Sequence, residues 1–243
     1  MQKYSQNPIS GPFHDPSTGS RKATVAEIDL LCDYPRSKRP IEERGRLITE
    51  EHRSVARRFG VEYFDGDRLT GYGGYGYHPR FWQATVRRLR DHYGLGPGSS
   101  VLDVGCAKGY MLYDLTQLVP GLTVRGIDVS PYAIERAHQA VRPYVAVGDA
   151  RQLPFADKSF DLVVSINTLH NLPLEDCKRG LREVQRVGRG KSFITVDAWR
   201  NEEEKRRLLA WNLTALTYMH VDEWKRLFDE VGYTGDYHWF IAS

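Results

Sequence analysis

The ten residues from Val101 to Tyr110, VLDVGCAKGY, constrain this chain more than any other stretch. An apolar run that ends in Asp103 and Gly105 reads as a β-strand entering a glycine-rich turn, a place where backbone and ligand can approach closely. A second apolar segment, VRGIDVS from Val124 to Ser130, closes on Asp128. It is followed by PYAIERAHQAV, a helix-like run whose Pro131 suits a first helical position. Together these predict an α/β fold that binds a cofactor at its strand ends. A carboxylate at Asp128 can accept hydrogen bonds from both hydroxyls of a ribose.

A nicotinamide dinucleotide would suit the same acidic strand end, and the turn separates the two cases. It reads Gly-x-x-x-Gly, Gly105 to Gly109, and lacks the GxGxxG spacing that seats a pyrophosphate on a helix N-terminus. An anionic pyrophosphate would also meet Asp103. A carboxylate there matches a positively charged cofactor better, such as the ammonium and sulfonium of S-adenosylmethionine.

With VLDVGCAKGY as glycine motif, GIDVS as ribose motif and VGDARQLPFADKSFDLVVSINTLHNL as adenine and post-strand motifs, the chain resembles the class I S-adenosylmethionine-dependent methyltransferases over about residues 80–200. The resemblance implies an α/β, Rossmann-like, doubly wound and mostly parallel sheet with helices on both faces. It also implies methyl transfer from S-adenosyl-L-methionine. Gly105 and Gly109 would then pack under the methionine portion, Asp103 would hold its amino group, Asp128 would grip the ribose diol and Val129 would lie against the adenine. Asp149 would take the exocyclic amine and the Ala150 amide a ring nitrogen, with Asn167 and Thr168 just past the fourth strand. Taken singly, an Asp at a strand end also caps helices, and a Gly in a turn also relieves backbone strain.

The fourth strand, FDLVVSI, delivers His170 to the carboxyl ends of the strands, where open α/β sheets bind ligands. A neutral imidazole there is the leading candidate for a general base, the alternative being a bond to a loop carbonyl. The fifth strand, KSFITVDAW, brings Asp197 and Trp199 to the same rim as candidate acceptor contacts. Ahead of the first strand, YFDGDRLTGYGGYGYHPRFW places Tyr72, Tyr75 and Tyr77 among glycines, which reads as a lid or pocket wall. The resemblance weakens toward the C-terminus: the family carries two strands after its last helix, and only Asp236–Ala242 reads as one.

Three units follow: a flexible arm at 1–22, a helical extension with the tyrosine-rich lid at 23–95, and the cofactor domain at 96–243. In the extension, ATVAEIDLLCDY predicts a short helix, PRSKRP a basic turn, and IEERGRLITEEHRSVARRFG one long amphipathic helix stopped by Gly60. From Arg21 to Arg58 ten Lys or Arg face seven acids. That small excess describes a solvated helix face better than a nucleic-acid footprint. Three dispersed cysteines without a CxxC pair, no apolar run long enough to span a bilayer and no secretory leader predict a cytoplasmic protein. The expected acceptor is a small polar or aromatic metabolite methylated on oxygen, with no metal-ligating residues singled out and no membrane partner, and metal assistance and oligomeric state are left open. The alternatives are a tRNA or protein methyltransferase docking through the basic N-terminal helix, and a cofactor-binding module without catalysis.

Overall fold

In the computed structural model, residues 26–35 and 40–242 are described. The arm at 1–22 and residues 36–39 of the basic turn lie outside them. The order of elements is α1 (Ile41–Leu47), α2 (Glu50–Ala56), α3 (Val61–Phe64), α4 (Pro79–Tyr93), β1 (Ser100–Val104), α5 (Tyr110–Leu118), β2 (Thr123–Asp128), α6 (Pro131–Glu135), β3 (Val145–Val147) and β4 (Leu162–Ile166). Then come α7 (Leu174–Val187), β5 (Ser192–Trp199), α8 (Glu202–Trp211), β6 (Met219–His220), α9 (Val221–Val231) and β7 (Asp236–Phe240).

The strands form one sheet in the order β3-β2-β1-β4-β5, with β7 along the body of β5 and β6 beside its last two residues. Every pairing between these strands is parallel. Strand order therefore reverses between β1 and β4, and the carboxyl ends of these two strands open the crevice where such sheets bind ligands.

Side chains alternate across the sheet with a period of two. Val101, Leu162, Val164 and Phe193 pack on one face with Val86 and Leu89 of α4 and Leu112 and Leu115 of α5. Leu102, Val104, Val163 and Ile194 pack on the other with Leu181 and Val184 of α7 and Trp224 and Phe228 of α9. Both faces are covered, as a parallel sheet requires. Fully burying Val86 and Leu89 contributes about 3–6 kcal/mol together, so α4 is held against the sheet by its apolar face.

Three expected helices differ. The long helix is two short ones, because Thr49 caps α2 in a box with His52 and the β-branched pair Ile48-Thr49 lies in extended backbone between them. Gly60 precedes α3 instead of ending a helix. The segment at 26–28 is extended: the Ile28 amide donates to Tyr237 O at 2.9 Å and the Tyr237 amide to Ala26 O at 3.0 Å, which covers the outer edge of β7. The helix after β2 stops at Glu135, and the His138 amide turns back to the Lys108 carbonyl at 2.9 Å. Among the described residues no helix is long and apolar enough to cross a membrane.

Candidate active site

A cavity of about 1450 Å³ opens at the carboxyl ends of the strands. Asp103, Gly105, Asp128, Val129, Asp149, Ala150 and Asn167 line it together with His170, Tyr72 and Tyr75. Gly109, Tyr77 and Trp199 do not.

Asp103 ends β1 on the α4/α5 face of the sheet, is 5% exposed, and receives no hydrogen bond from any described residue. Burial first, and the neighbouring Asp128 second, push its carboxyl up to about 8. Asp128 differs. Its two oxygens accept the Ala107 amide at 2.7 Å and the Ser130 amide at 2.8 Å, which oppose the upward push of burial. A buried carboxylate without a donor, next to a second one, suits a cationic ligand and repels an anionic one.

Gly105 takes φ +88°, and a Cβ there would lie 2.0 Å from Thr168 Oγ1. Only glycine lets the end of β1 pack this closely on the segment after β4. Gly109 also has a left-handed φ, +72°, but its Cβ direction meets Val141 behind the turn, so its part is conformational. Asn167 sits at φ +51°, a region Asn tolerates, and its Oδ1 accepts the Thr195 hydroxyl at 2.8 Å. The Asp149 carboxylate faces the cavity already gripped by Arg151, whose Nε and second guanidinium nitrogen lie 2.6–3.0 Å from its oxygens. Those hydrogen bonds hold its pKa below the usual carboxylate range.

His170 is 4% exposed, and its Nδ1 accepts the Asp197 backbone amide at 2.9 Å. An N–H donor fixes Nδ1 as the acceptor, so the proton of the neutral ring is on Nε2. Burial lowers its pKa, opposed by the Asp197 carboxylate 3.6 Å away. The nitrogen that would act as a general base is therefore engaged with the Asp197 backbone in this structure. Asp197 itself lines the cavity, is 6% exposed, and has a carboxyl raised by burial.

Two acceptor candidates also move out of the site. The Tyr77 hydroxyl donates to Asp114 of α5 at 2.7 Å and its ring packs on Tyr113. The Trp199 ring packs on Tyr218 with the Lys205 ammonium 5.4 Å from its centre. Tyr72 and Tyr75 remain in an aromatic wall with Tyr63 and Phe64.

A clasp that the sequence pattern did not reveal secures this wall. Lys108, inside the glycine motif and 5% exposed, donates to Asp65 at 2.7 and 2.9 Å and to the Tyr75 carbonyl at 2.8 Å. The Tyr132 hydroxyl and the Tyr75 amide also donate to Asp65. Against the burial that would raise it, these donors hold the Asp65 carboxyl at about 2. A lysine immediately before a turn glycine gives no local sign of a partner 43 positions upstream.

Residues 102–196 match the family model described as a methyltransferase domain. A protein of Encephalitozoon cuniculi described as a methyltransferase is 30% identical over 159 residues, 58% of this chain and 71% of that protein. The tRNA (carboxymethyluridine(34)-5-O)-methyltransferase of Arabidopsis thaliana is 33% identical over 132 residues, 54% of this chain and 31% of that one. Among solved structures, the phosphoethanolamine N-methyltransferase 2 of Haemonchus contortus shares the fold at a TM-score of 0.50 and 20% identity, covering 72% of this chain and 41% of that chain. The chain belongs to the class I S-adenosylmethionine-dependent methyltransferases. It spans between 31% and 48% of the length of several curated relatives that it matches.

Proposed function

We propose that this chain is an enzyme that transfers a methyl group from S-adenosylmethionine to a hydroxyl of a small polar or aromatic metabolite. The observation that carries the reading is one cavity in which the donorless, buried carboxylate of Asp103 faces the same space as an aromatic wall and the ends of β4 and β5. Its volume of about 1450 Å³ exceeds the ~300–1,000 Å³ usual for one ligand of moderate size, which leaves room for a cofactor and an acceptor side by side.

Asp103, Asp128, Val129, Asp149, Ala150 and Asn167 are the residues that would hold the cofactor, with Gly105 keeping the turn close to Thr168. Bound S-adenosylmethionine supplies a methyl group already activated on a sulfonium. The protein's share is then alignment and exclusion of water, a contribution of about 7–11 kcal/mol in well-oriented reactions. Tyr72 and Tyr75 exclude solvent from one side. The Asp197 carboxylate is the group placed to accept a proton from an acceptor hydroxyl, since burial strengthens it as a base. His170 is a positioning residue, holding the Asp197 main chain through its Nδ1.

The Arabidopsis relative is named for a tRNA acceptor. An acceptor small enough to enter the cavity is favoured here, because residues from the segments 27–35 and 40–82 line it alongside the strand ends. Calorimetric titration with S-adenosylmethionine, with NAD as the control, tests the reading at its root. Selective binding of the sulfonium compound is the expected result, and preference for NAD, or binding of neither, overturns it.

A further inference from the structure

Residues 40–82 carry seven arginines, no lysine and seven acids, a neutral balance. Their placement is not neutral. Arg44, Arg57, Arg58, Arg68 and Arg80 line the cavity, and none of the seven acids does. Four of the acids are used elsewhere: Glu50 pairs with Arg57 at 2.8 Å, Glu42 reaches Arg206 at 3.3 Å, Asp65 is held by Lys108, and Asp67 caps the Leu69 amide at 2.6 Å. The carboxylates that do line the cavity come from the strand ends, from α8 and from the 27–29 segment.

Several of these guanidinium groups lack compensation. Arg58, Arg68 and Arg80 form no ion pair with any described residue. Arg57 meets Glu50 with one nitrogen only, and its Nε is buried without a hydrogen-bond partner. Arg44 is 8% exposed and fixed by donation to the Arg68 and Trp211 carbonyls at 3.2 and 3.1 Å, with its guanidinium 5.3 Å from the Trp211 ring. Like charges lining one cavity raise the local potential and favour an anion between them. The exclusive use of arginine adds geometry, because its planar fork matches phosphate and carboxylate oxygens two at a time.

We infer that the wall built by residues 40–82 is an anion subsite, and that the acceptor carries a phosphate or carboxylate group held by Arg57, Arg58 and Arg68. The cavity is polarised: carboxylates at the ends of β1 and β2 face the cationic cofactor, and arginines face the anionic acceptor. The identity of the molecule at the first end rests on the methyl-transfer reading, whereas the anion subsite rests on the arginines alone.

Trp82, Trp211 and Trp239 line the cavity, so intrinsic fluorescence reports its occupancy. The full chain is titrated with inorganic phosphate and, separately, with citrate, at constant ionic strength, with and without S-adenosylhomocysteine. Saturable binding is expected, about tenfold or more weaker in Arg57→Gln and Arg68→Gln and unchanged in Arg206→Gln, an arginine outside this cavity. Tighter phosphate marks a phosphorylated acceptor, and tighter citrate a carboxylated one. Melting curves confirm that each variant is folded. Absence of saturation, wild-type affinity in both cavity variants, or binding of single-stranded RNA but of neither small anion overturns the inference. S-adenosylhomocysteine binding, measured by calorimetry on the same samples, reports on the methyl-transfer reading separately: bound S-adenosylhomocysteine with no anion binding sinks the subsite alone.

Discussion

The carboxyl of Asp103 makes the cofactor end testable without knowing the acceptor. Burial and the neighbouring Asp128 raise it from 3.8 to about 8, so at pH 7 about nine in ten ligand-free molecules carry it protonated. A cation bound against it reverses the preference, since an opposite charge within about 4–6 Å favours the ionised form. S-adenosylmethionine binding at pH 7 is then expected to release close to one proton. Apparent affinity should climb about 50-fold between pH 6 and pH 8, the ratio of the ionised fractions at those values, and flatten above. Calorimetry in two buffers of different protonation enthalpy reads the proton count directly. Asp103→Asn should remove both the proton release and the slope.

The same group makes an opposite statement about stability. A carboxyl raised on folding contributes most below its unfolded value of 3.8, and that contribution is lost as pH climbs to about 8. At about 1.4 kcal/mol per pH unit the ceiling is roughly 6 kcal/mol. Ligand-free Asp103→Asn is therefore expected to melt above the wild type at pH 8.5 and close to it at pH 4, while binding S-adenosylmethionine more weakly. A variant that binds S-adenosylmethionine as the wild type does, or a wild-type affinity that ignores pH between 6 and 8, would refute the assignment of Asp103 to the cationic ligand.

Gly105→Ala should abolish cofactor binding, because its Cβ would meet Thr168 at 2.0 Å. Gly109→Ala, whose Cβ would meet Val141 Cγ2 at 2.9 Å and Val145 Cγ1 at 3.6 Å, both behind the turn, should cost about 1–2 kcal/mol of backbone strain and leave measurable affinity; equal loss in both would refute the distinction. Lys108→Met removes a buried ammonium from three acceptors, at about 1.5–3 kcal/mol for a charged hydrogen bond. Faster amide exchange across residues 64–77 and a melting point several degrees lower are expected, and unchanged exchange would refute the clasp. Asp197→Asn should lower kcat by about 10²-fold or more with S-adenosylhomocysteine affinity intact; a parallel fall in affinity would make Asp197 structural.

The ends of β1 and β2 were legible because local sequence decides them: an apolar run fixes the strand, and the acid and glycine that follow fix where it stops. Asp103 and Asp128 needed no knowledge of the rest of the chain. Tyr77, Trp199 and His170 did. Whether a residue near a strand end points into the crevice depends on which neighbour claims its polar atom. Asp114 claims the Tyr77 hydroxyl, and the Asp197 amide claims the basic nitrogen of His170. The C-terminal edge was half legible. The one strand after α9 is present, but nothing local in residues 26–28 announces that they pair with it.

The arginine wall was hidden for a different reason. A charge count sums over both sides of a segment, and residues 40–82 sum to zero. Read as one continuous helix from Ile41 to Gly60, Arg44 and Arg57 would lie thirteen residues apart, which at 3.6 residues per turn places them about 140° from each other. One of the two would then face away from any cavity the other lined. The interruption at Ile48-Thr49 resets that phase. Thr49 ends the extended link and starts α2 with its own cap, so Glu50 and Glu51 fall at the new N-terminus, where the helix dipole favours acids, and Arg57 falls at the C-cap, where it favours bases. Arg44 and Arg57 thereby both line the cavity. The presence of both arginines in the cavity lining follows from a threonine cap in the middle of what reads as a single amphipathic run.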